Sequence, residues 1–259
     1  MNAMPDAMPS AETFHALDRL KARLDAQRPL PAPVVLNLHD ELVLRWTYHS
    51  NAIEGNTLTL LETKVVLEGI TVGGKRLREH FEAINHRDAI LYVEDIVQRA
   101  EPLSEWQIRS LHRLILKNID DDHAGRYRPW NVTIAGARHV PPDTLVVAEQ
   151  MAALMARYGS TWATLHPVER AARLHIDFVG IHPFVDGNGR TARLLLNLEL
   201  LKAGFPAIVL PVERRLAYYE ALDTAHVEGD AGPFTALVAD CVREGFAPYW
   251  FALGGSGVS

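Results

Sequence analysis

At 259 residues and 28.9 kDa the chain is long enough for one large domain, or one domain with an appended subdomain, and it can bury a core without covalent staples. Apolar residues at 48% and charged residues at 22% exclude a wholly disordered or fibrous chain. Lys and Arg number 26 against 32 Asp and Glu, so a net charge of −6 argues against a nucleic-acid partner, while the single cysteine, Cys241, excludes an internal disulfide and a Cys-rich zinc site and fits a reducing compartment.

The amino terminus, Met1 to Asp6, has neither a charged start nor an apolar stretch, and no run of about 18 apolar residues occurs anywhere, so a cytoplasmic protein without a membrane span is expected. Apolar residues recur at three- and four-residue spacing over long stretches, which predicts an all-α fold with one small β-hairpin. A first helix is expected over Glu12 to Gln27, broken by Pro29, Pro31 and Pro33; residues 1–33 thus read as a helix and a Pro-rich linker. Residues 34–100 read as a helical region. One helix runs from Val34 towards Asn51 and stops at Glu54-Gly55-Asn56, another runs from Thr59 to near Gly69, and a long one runs from Lys75 to Arg99 after the Gly73-Gly74 turn. Ser104 with Gln107 gives a capping-box signal at the start of the remaining unit, 101–253. The helical period fails between Ile119 and Val140, where residues 131–134 and 139–140 resemble two short extended segments about a turn at 135–138. Further helices are expected over Asp143 to Tyr158, Pro167 to Ile181, Gly189 to Ala203, Arg214 to Glu228 and Pro233 to Leu253, with a flexible tail at 254–259.

Residues 182–193 read His-Pro-Phe-Val-Asp-Gly-Asn-Gly-Arg-Thr-Ala-Arg, between two strongly apolar helical segments. Pro183 disfavours α geometry at His182, and Asp186 to Gly189 is a turn sequence tolerant of positive φ. The loop therefore opens a helix whose first N–H groups lack partners, and the glycines on both sides of Asn188 let a phosphate approach the backbone. Arg190 and Arg193 share a face of its first turn, where cations oppose the macrodipole by about 0.3–1 kcal/mol each. Two guanidiniums placed there without a structural gain point to a polyphosphate ligand. Asp186 is a hard oxygen donor that suits Mg²⁺ shared with phosphate oxygens, and an imidazole at His182 can take a proton from a hydroxyl near neutral pH. Singly, each has a plainer reading: a histidine cap, an ordinary turn, a solvated arginine face.

Together the twelve residues resemble the signature of the Fic family, His-x-Phe-x-Asp/Glu-Gly-Asn-Gly-Arg-x-x-Arg, at all eight specified positions. The resemblance implies a helical enzyme that transfers AMP from ATP to a Ser, Thr or Tyr hydroxyl of a target protein. By it, His182 is the base, Phe184 an anchor beneath the loop, Asp186 the Mg²⁺ ligand, Gly187, Asn188 and Gly189 the anion hole, and Arg190 and Arg193 the arginines on the β- and γ-phosphates. The expected hairpin is similar to the family's flap, in which Val132, Ile134 and Gly136 would pair with the target's extended backbone.

A second motif lies earlier, at Ser50-Asn51-Ala52-Ile53-Glu54-Gly55. Ser50 and Glu54 are four apart and face the same way at a helix end. The motif resembles the inhibitory Ser/Thr-x-x-x-Glu-Gly/Asn sequence of Fic proteins whose blocking helix precedes the catalytic core. That implies a pairing of Glu54 with Arg193 at the expense of the γ-phosphate. On the same chemistry the protein could remove AMP, with Glu54 orienting water, or transfer another phosphate-containing group. Readings of other classes are a metal-dependent phosphohydrolase using His166, His175, Asp177 and His182, and a non-enzymatic nucleotide-binding module. The target is not legible in the sequence, and a homodimer is left open.

Overall fold

The computed structural model describes residues 8–254, and these form eleven α-helices: α1 (Ala11–Asp25), α2 (Ala32–Ile53), α3 (Leu60–Leu67), α4 (Leu77–Gln98), α5 (Glu105–Leu116), α6 (Val147–Gly159), α7 (Pro167–Ile181), α8 (Asn188–Lys202), α9 (Arg215–Val227), α10 (Gly232–Gly245) and α11 (Ala247–Ala252). The terminal stretch Met1 to Asp6 and all of the expected flexible tail but Gly254 lie outside the described residues. No helix among the described residues is long and apolar enough to cross a membrane.

Local chemistry sets most boundaries. Ser10 caps α1 by accepting from the Thr13 N–H at 3.2 Å, and Thr59 and Glu62 form a reciprocal capping box on α3. Pro167 sits in the first turn of α7, where its missing N–H costs nothing, and His166 caps it by accepting from the Val168 N–H at 3.2 Å.

The centre is the antiparallel pair α7 and α8. The segment Leu194 to Leu200 is apolar nearly all round, so α8 is buried on every side, with α4, α5 and α7 against it. Its two interior polar residues are satisfied. Asn197 exchanges two bonds of 2.8 Å with the Ile208 backbone, and Glu199 accepts from Tyr158 and Arg170, each at 2.6 Å. One hydrophobic cluster joins Leu17 of α1, Val43, Trp46 and Ile53 of α2, Ile90 of α4, Ile108 of α5, Phe178 of α7, Leu195 of α8 and Phe234 of α10. The amino-terminal helices thus share the core of the central pair rather than lying on it as an arm.

Three sequence expectations are corrected. No strand occurs among the described residues; 131–140 is an irregular loop whose only internal backbone bond is Ala137 N–H to Ile134 at 3.2 Å. Side chains close it instead of cross-strand pairs. At its base Asn131 bonds Asp143 at 2.9 Å and accepts from the Thr144 N–H at 2.7 Å, and at its far end His139 Nε2 donates to the Gly180 carbonyl at 2.8 Å while Arg138 N–H donates to Asp223. The capping box at Ser104 does not form, because the Ser104 hydroxyl turns to the Gln107 side chain. The last expected helix is two, divided at Phe246 by Pro248, which has no N–H and whose ring clashes with a continuing helix.

Candidate active site

His182 ends α7 in the left-handed region at φ 50°, ψ 57°, and Gly187 at φ 74° opens α8, so the residues between turn the chain through a tight loop. Pro183 keeps α7 from continuing. Asn188 fastens the loop to itself, its Oδ1 accepting from the Phe184 N–H at 3.0 Å and its Nδ2 donating to the Phe184 carbonyl at 2.9 Å. The Asn188 side chain is therefore committed, and what the residue presents to an anion is its backbone N–H, together with those of Gly189 and Arg190 in the unpaired first turn. Phe184 is fully buried, as an anchor should be.

A residue that the sequence reading missed supports the loop from below. His112 of α5 stacks on Phe184 with centroids 3.6 Å apart and planes at 5°. Its Nδ1 accepts from the Gly125 N–H at 2.9 Å, which places the proton on Nε2, and that donates to the Asp186 carbonyl at 2.8 Å. His112 lies on the apolar face of α5 with Ile108, Leu111 and Ile115, and that position was the available signal. Burial pushes it down to about 4. A neutral imidazole with a folded value below its free value of about 6.5 favours the fold above that pH and loses the benefit as pH falls towards 4. Between pH 6.5 and 5, His112 is expected to cost about 1 kcal/mol of stability per pH unit on average. A His112→Gln variant should lose stability less steeply over that range in thermal melts; a slope equal to that of the wild type would refute this.

The His182 side chain is largely buried, its Nδ1 against the Val179 backbone without an aligned hydrogen bond. Burial first, then the Arg128 cation, pushes it down to about 4, with the Val179 backbone and then Glu54 working the other way. It is thus neutral at physiological pH and free to accept a proton. Arg128 holds the loop itself: its Nε–H donates to the His182 carbonyl at 2.9 Å and its backbone N–H to the Pro183 carbonyl at 2.9 Å.

Arg193 is 3% exposed and bonded throughout. It donates to Ser50 Oγ (2.9 Å), to the Ser50 carbonyl (2.8 Å), to Glu54 (2.7 Å) and to Tyr218 Oη (3.3 Å). Burial opposes its charge, yet Glu54 and Tyr218 hold its pKa above the ordinary arginine value. Tyr218 also bonds His175 Nε2 at 3.1 Å, and its neighbour Tyr219 donates to the Ile53 carbonyl at 3.2 Å. Gly55, at φ 94°, ends the helix that carries Ser50 and Glu54. Glu54 does more than reach Arg193. A β-carbon added at Gly189 would collide with Glu54 Oε1 and lie 3.1 Å from Arg193 Nη1, so the carboxylate rests against the first turn of α8. An anion already lies where the N–H groups and the guanidinium converge.

Arg190 is 2% exposed, with Nε and Nη1 lacking hydrogen-bond partners; its cationic contacts are Asp186 at 3.3 Å and Glu82 at 3.5 Å. A buried guanidinium with unused donors suits a phosphate. Asp186 is half-exposed; burial works against its charge, but Arg190, the Gly187 N–H at 2.6 Å and Arg78 hold the carboxyl below the usual range. No group of three His, Cys, Asp or Glu gathers for a metal among the described residues. One ionised carboxylate beside a phosphate-binding turn fits a Mg²⁺ completed by phosphate oxygens and water, and does not fit a nitrogen-rich metal centre. The four residues of the phosphohydrolase reading are not brought together: His166 faces Asp18, His175 faces Tyr218, and Asp177 pairs with Arg157. Val132, Ile134 and Gly136 lie on the open loop described above.

Comparison with known proteins agrees with the fold and the loop. The Fic/DOC family pattern matches residues 102–200. A protein adenylyltransferase Fic of Nematostella vectensis is 38% identical over 244 residues, covering 90% of this chain and 55% of its own length, and that of Drosophila willistoni is 36% identical over 265 residues, covering 96% and 51%. The chain spans about half the length of these curated relatives. Among solved structures, residues 134–508 of Fic-1 from C. elegans superpose with a TM-score of 0.85 at 34% identity, covering 94% of this chain and 72% of that one. A Fic domain containing signaling protein from Bacteroides thetaiotaomicron gives 0.85 at 30%, covering 94% and 98%.

Proposed function

The chain belongs to the Fic/DOC family, and from that membership we propose that it is a self-inhibited protein adenylyltransferase, with regulation in residues 34–100 and transfer in 101–253. The observation that carries the reading is the Glu54 carboxylate, bonded to buried Arg193 and seated against Gly189 in the phosphate-binding turn. A carboxylate occupies that position at the expense of a terminal phosphate, because both seek the same guanidinium.

In the active form the N–H groups of α8 and the side chains of Arg190 and Arg193 hold the polyphosphate of ATP, and Asp186 is the residue that would hold Mg²⁺. A bound Mg²⁺ supplies neutralisation of phosphate charge. The target backbone lies along the loop at Val132, Ile134 and Gly136, whose N–H and C=O groups are largely unpaired within the chain. The target hydroxyl oxygen bonds the α-phosphorus, its proton passes to His182, and the bond to the β-phosphate breaks to release pyrophosphate. Preorganised donors in the loop stabilise the charge that develops.

Incubation of the full chain carrying Glu54→Gly with ATP, Mg²⁺ and candidate target proteins is expected to add one AMP to a hydroxyl, detected by intact mass and mapped by peptide sequencing. Release of AMP from a premodified target by the wild-type chain, with water as the acceptor, would favour hydrolytic removal of AMP instead. Unchanged masses with unchanged nucleotide would favour the binding module.

A further inference from the structure

Four charged side chains close a ring beside the loop. Arg78, in the first turn of α4, donates from Nε to Glu82 Oε1 at 3.0 Å and from Nη2 to Asp186 Oδ2. Arg190, on α8, lies 3.5 Å from the same Glu82 oxygen and 3.3 Å from Asp186 Oδ1. Two carboxylates thus alternate with two guanidiniums.

The guanidiniums differ. Arg190 is 2% exposed and fixed on the central helix, whereas the Arg78 side chain is 53% exposed on a segment 108 positions away in sequence from Asp186. The oxygens of Asp186 differ as well. Oδ1 is taken by the Gly187 N–H and Arg190, both belonging to the loop and its helix, while Oδ2 has Arg78 as its partner. Glu82 keeps its place without Arg78, since its second oxygen accepts from Asn56 at 2.9 Å. Withdrawal of Arg78 would leave two carboxylates sharing one buried guanidinium, an electronegative opening at Oδ2.

We propose that Arg78 is a tethered substitute for the divalent cation: its guanidinium occupies the outer oxygen of Asp186, so Arg78 and the cation compete, and Arg78 swings into solvent when the site loads. The proposal rests on the reading of Asp186 given above. In the resting form the site is then closed by both signs of charge at once, Glu54 of the α2 end in the anion's place and Arg78 of α4 in the cation's. An exposed pair of this kind is weak, and side-chain rotation is enough to open it. Arg78 is a positioning residue and touches no reacting atom.

The test is Mn²⁺ binding to the full chain, read by electron paramagnetic resonance of the free ion, with circular dichroism to verify folding. Arg78→Gln is expected to tighten Mn²⁺ by about three- to tenfold, the combined effect of freeing a carboxylate and removing a nearby like charge. Arg78→Lys, which keeps the charge but not the fork, should fall between Arg78→Gln and wild type. In an Asp186→Asn background the gain should vanish. If Arg78→Gln binds Mn²⁺ no better than wild type while Asp186→Asn binds worse, the substitution role is wrong and Asp186 remains the cation ligand. A gain that persists with Asp186→Asn is a general charge effect and also overturns the proposal. If Asp186→Asn alters Mn²⁺ binding in no background, the reading of Asp186 fails first.

Discussion

A Glu54→Gly variant is expected to transfer AMP about ten to a hundred times faster than the wild-type chain at the same ATP and Mg²⁺ concentrations. The size follows from what the carboxylate holds. A hydrogen bond to a charged partner contributes about 1.5–3 kcal/mol, and each 1.4 kcal/mol is tenfold in the population of the open form. The cost appears in stability. Arg193 keeps its two bonds to Ser50 and its bond to Tyr218, but it loses its counter-charge while buried, so the variant should melt below wild type and recover when nucleotide binds. Glu54→Gln separates charge from bulk: it keeps the size against Gly189 and removes the ion pair, and intermediate activation is expected. Intact-mass measurement of the chain and of a target protein is the readout. A Glu54→Gly variant that labels neither refutes the self-inhibited transferase, and loss of AMP-removing activity in the same variant would assign Glu54 to hydrolytic removal of AMP.

His182→Ala, introduced into the Glu54→Gly background, is expected to lower transfer by about 10²–10⁴-fold, the usual contribution of a positioned base. His182→Asn is the better control for folding, because asparagine accepts the left-handed backbone at φ 50° more readily than alanine does. Both variants should keep nucleotide affinity, since the phosphate donors lie on α8. The pH profile carries a second signature. With His182 pushed down to about 4, the proton-accepting form dominates at neutral pH, so the rate should be flat from about pH 6 to 8 and should fall only towards pH 4. A base limb near the free imidazole value of about 6.5 would show that His182 is not desolvated during turnover.

The loop was legible because its residues dictate backbone and chemistry together. Pro183 stops a helix, Gly187 supplies the positive φ, and two arginines stand on one face within the first two turns of α8, near an end that prefers acids. Helix placement was legible for a related reason, since periodicity, prolines and helix starts such as Thr59 act within a few positions. What escaped were contacts set by tertiary packing. His112 and Arg128 clamp the loop from segments 74 and 54 positions away, and while a histidine on the apolar face of α5 hints at a buried role, no local pattern names the loop as its partner. Arg78 and Glu82 escaped likewise, reading as an ordinary i, i+4 pair on a solvated helix. The expected hairpin failed because extended-looking residues at 131–134 find no ladder partner, and the side chains of Asn131, Arg138 and His139 hold the segment instead. The committed Asn188 side chain is a smaller lesson of the same kind: the sequence suggested a phosphate ligand, and the amide proves to be the loop's own fastener.

Val43, Trp46 and Ile53 root α2 in the same core as α7 and α8, and this decides what kind of inhibitor Glu54 is. A blocking element on a loose arm would dissociate, and its strength would vary with dilution and with competing partners. A carboxylate fixed to the core is present at one per site and at an effective concentration on the order of millimolar or more, whatever the amount of protein. Dilution does not relieve it, and added ATP displaces it only in proportion to its own concentration. Deleting α2 to remove it would take away part of the core as well, so truncation is a poor substitute for a point change at Glu54.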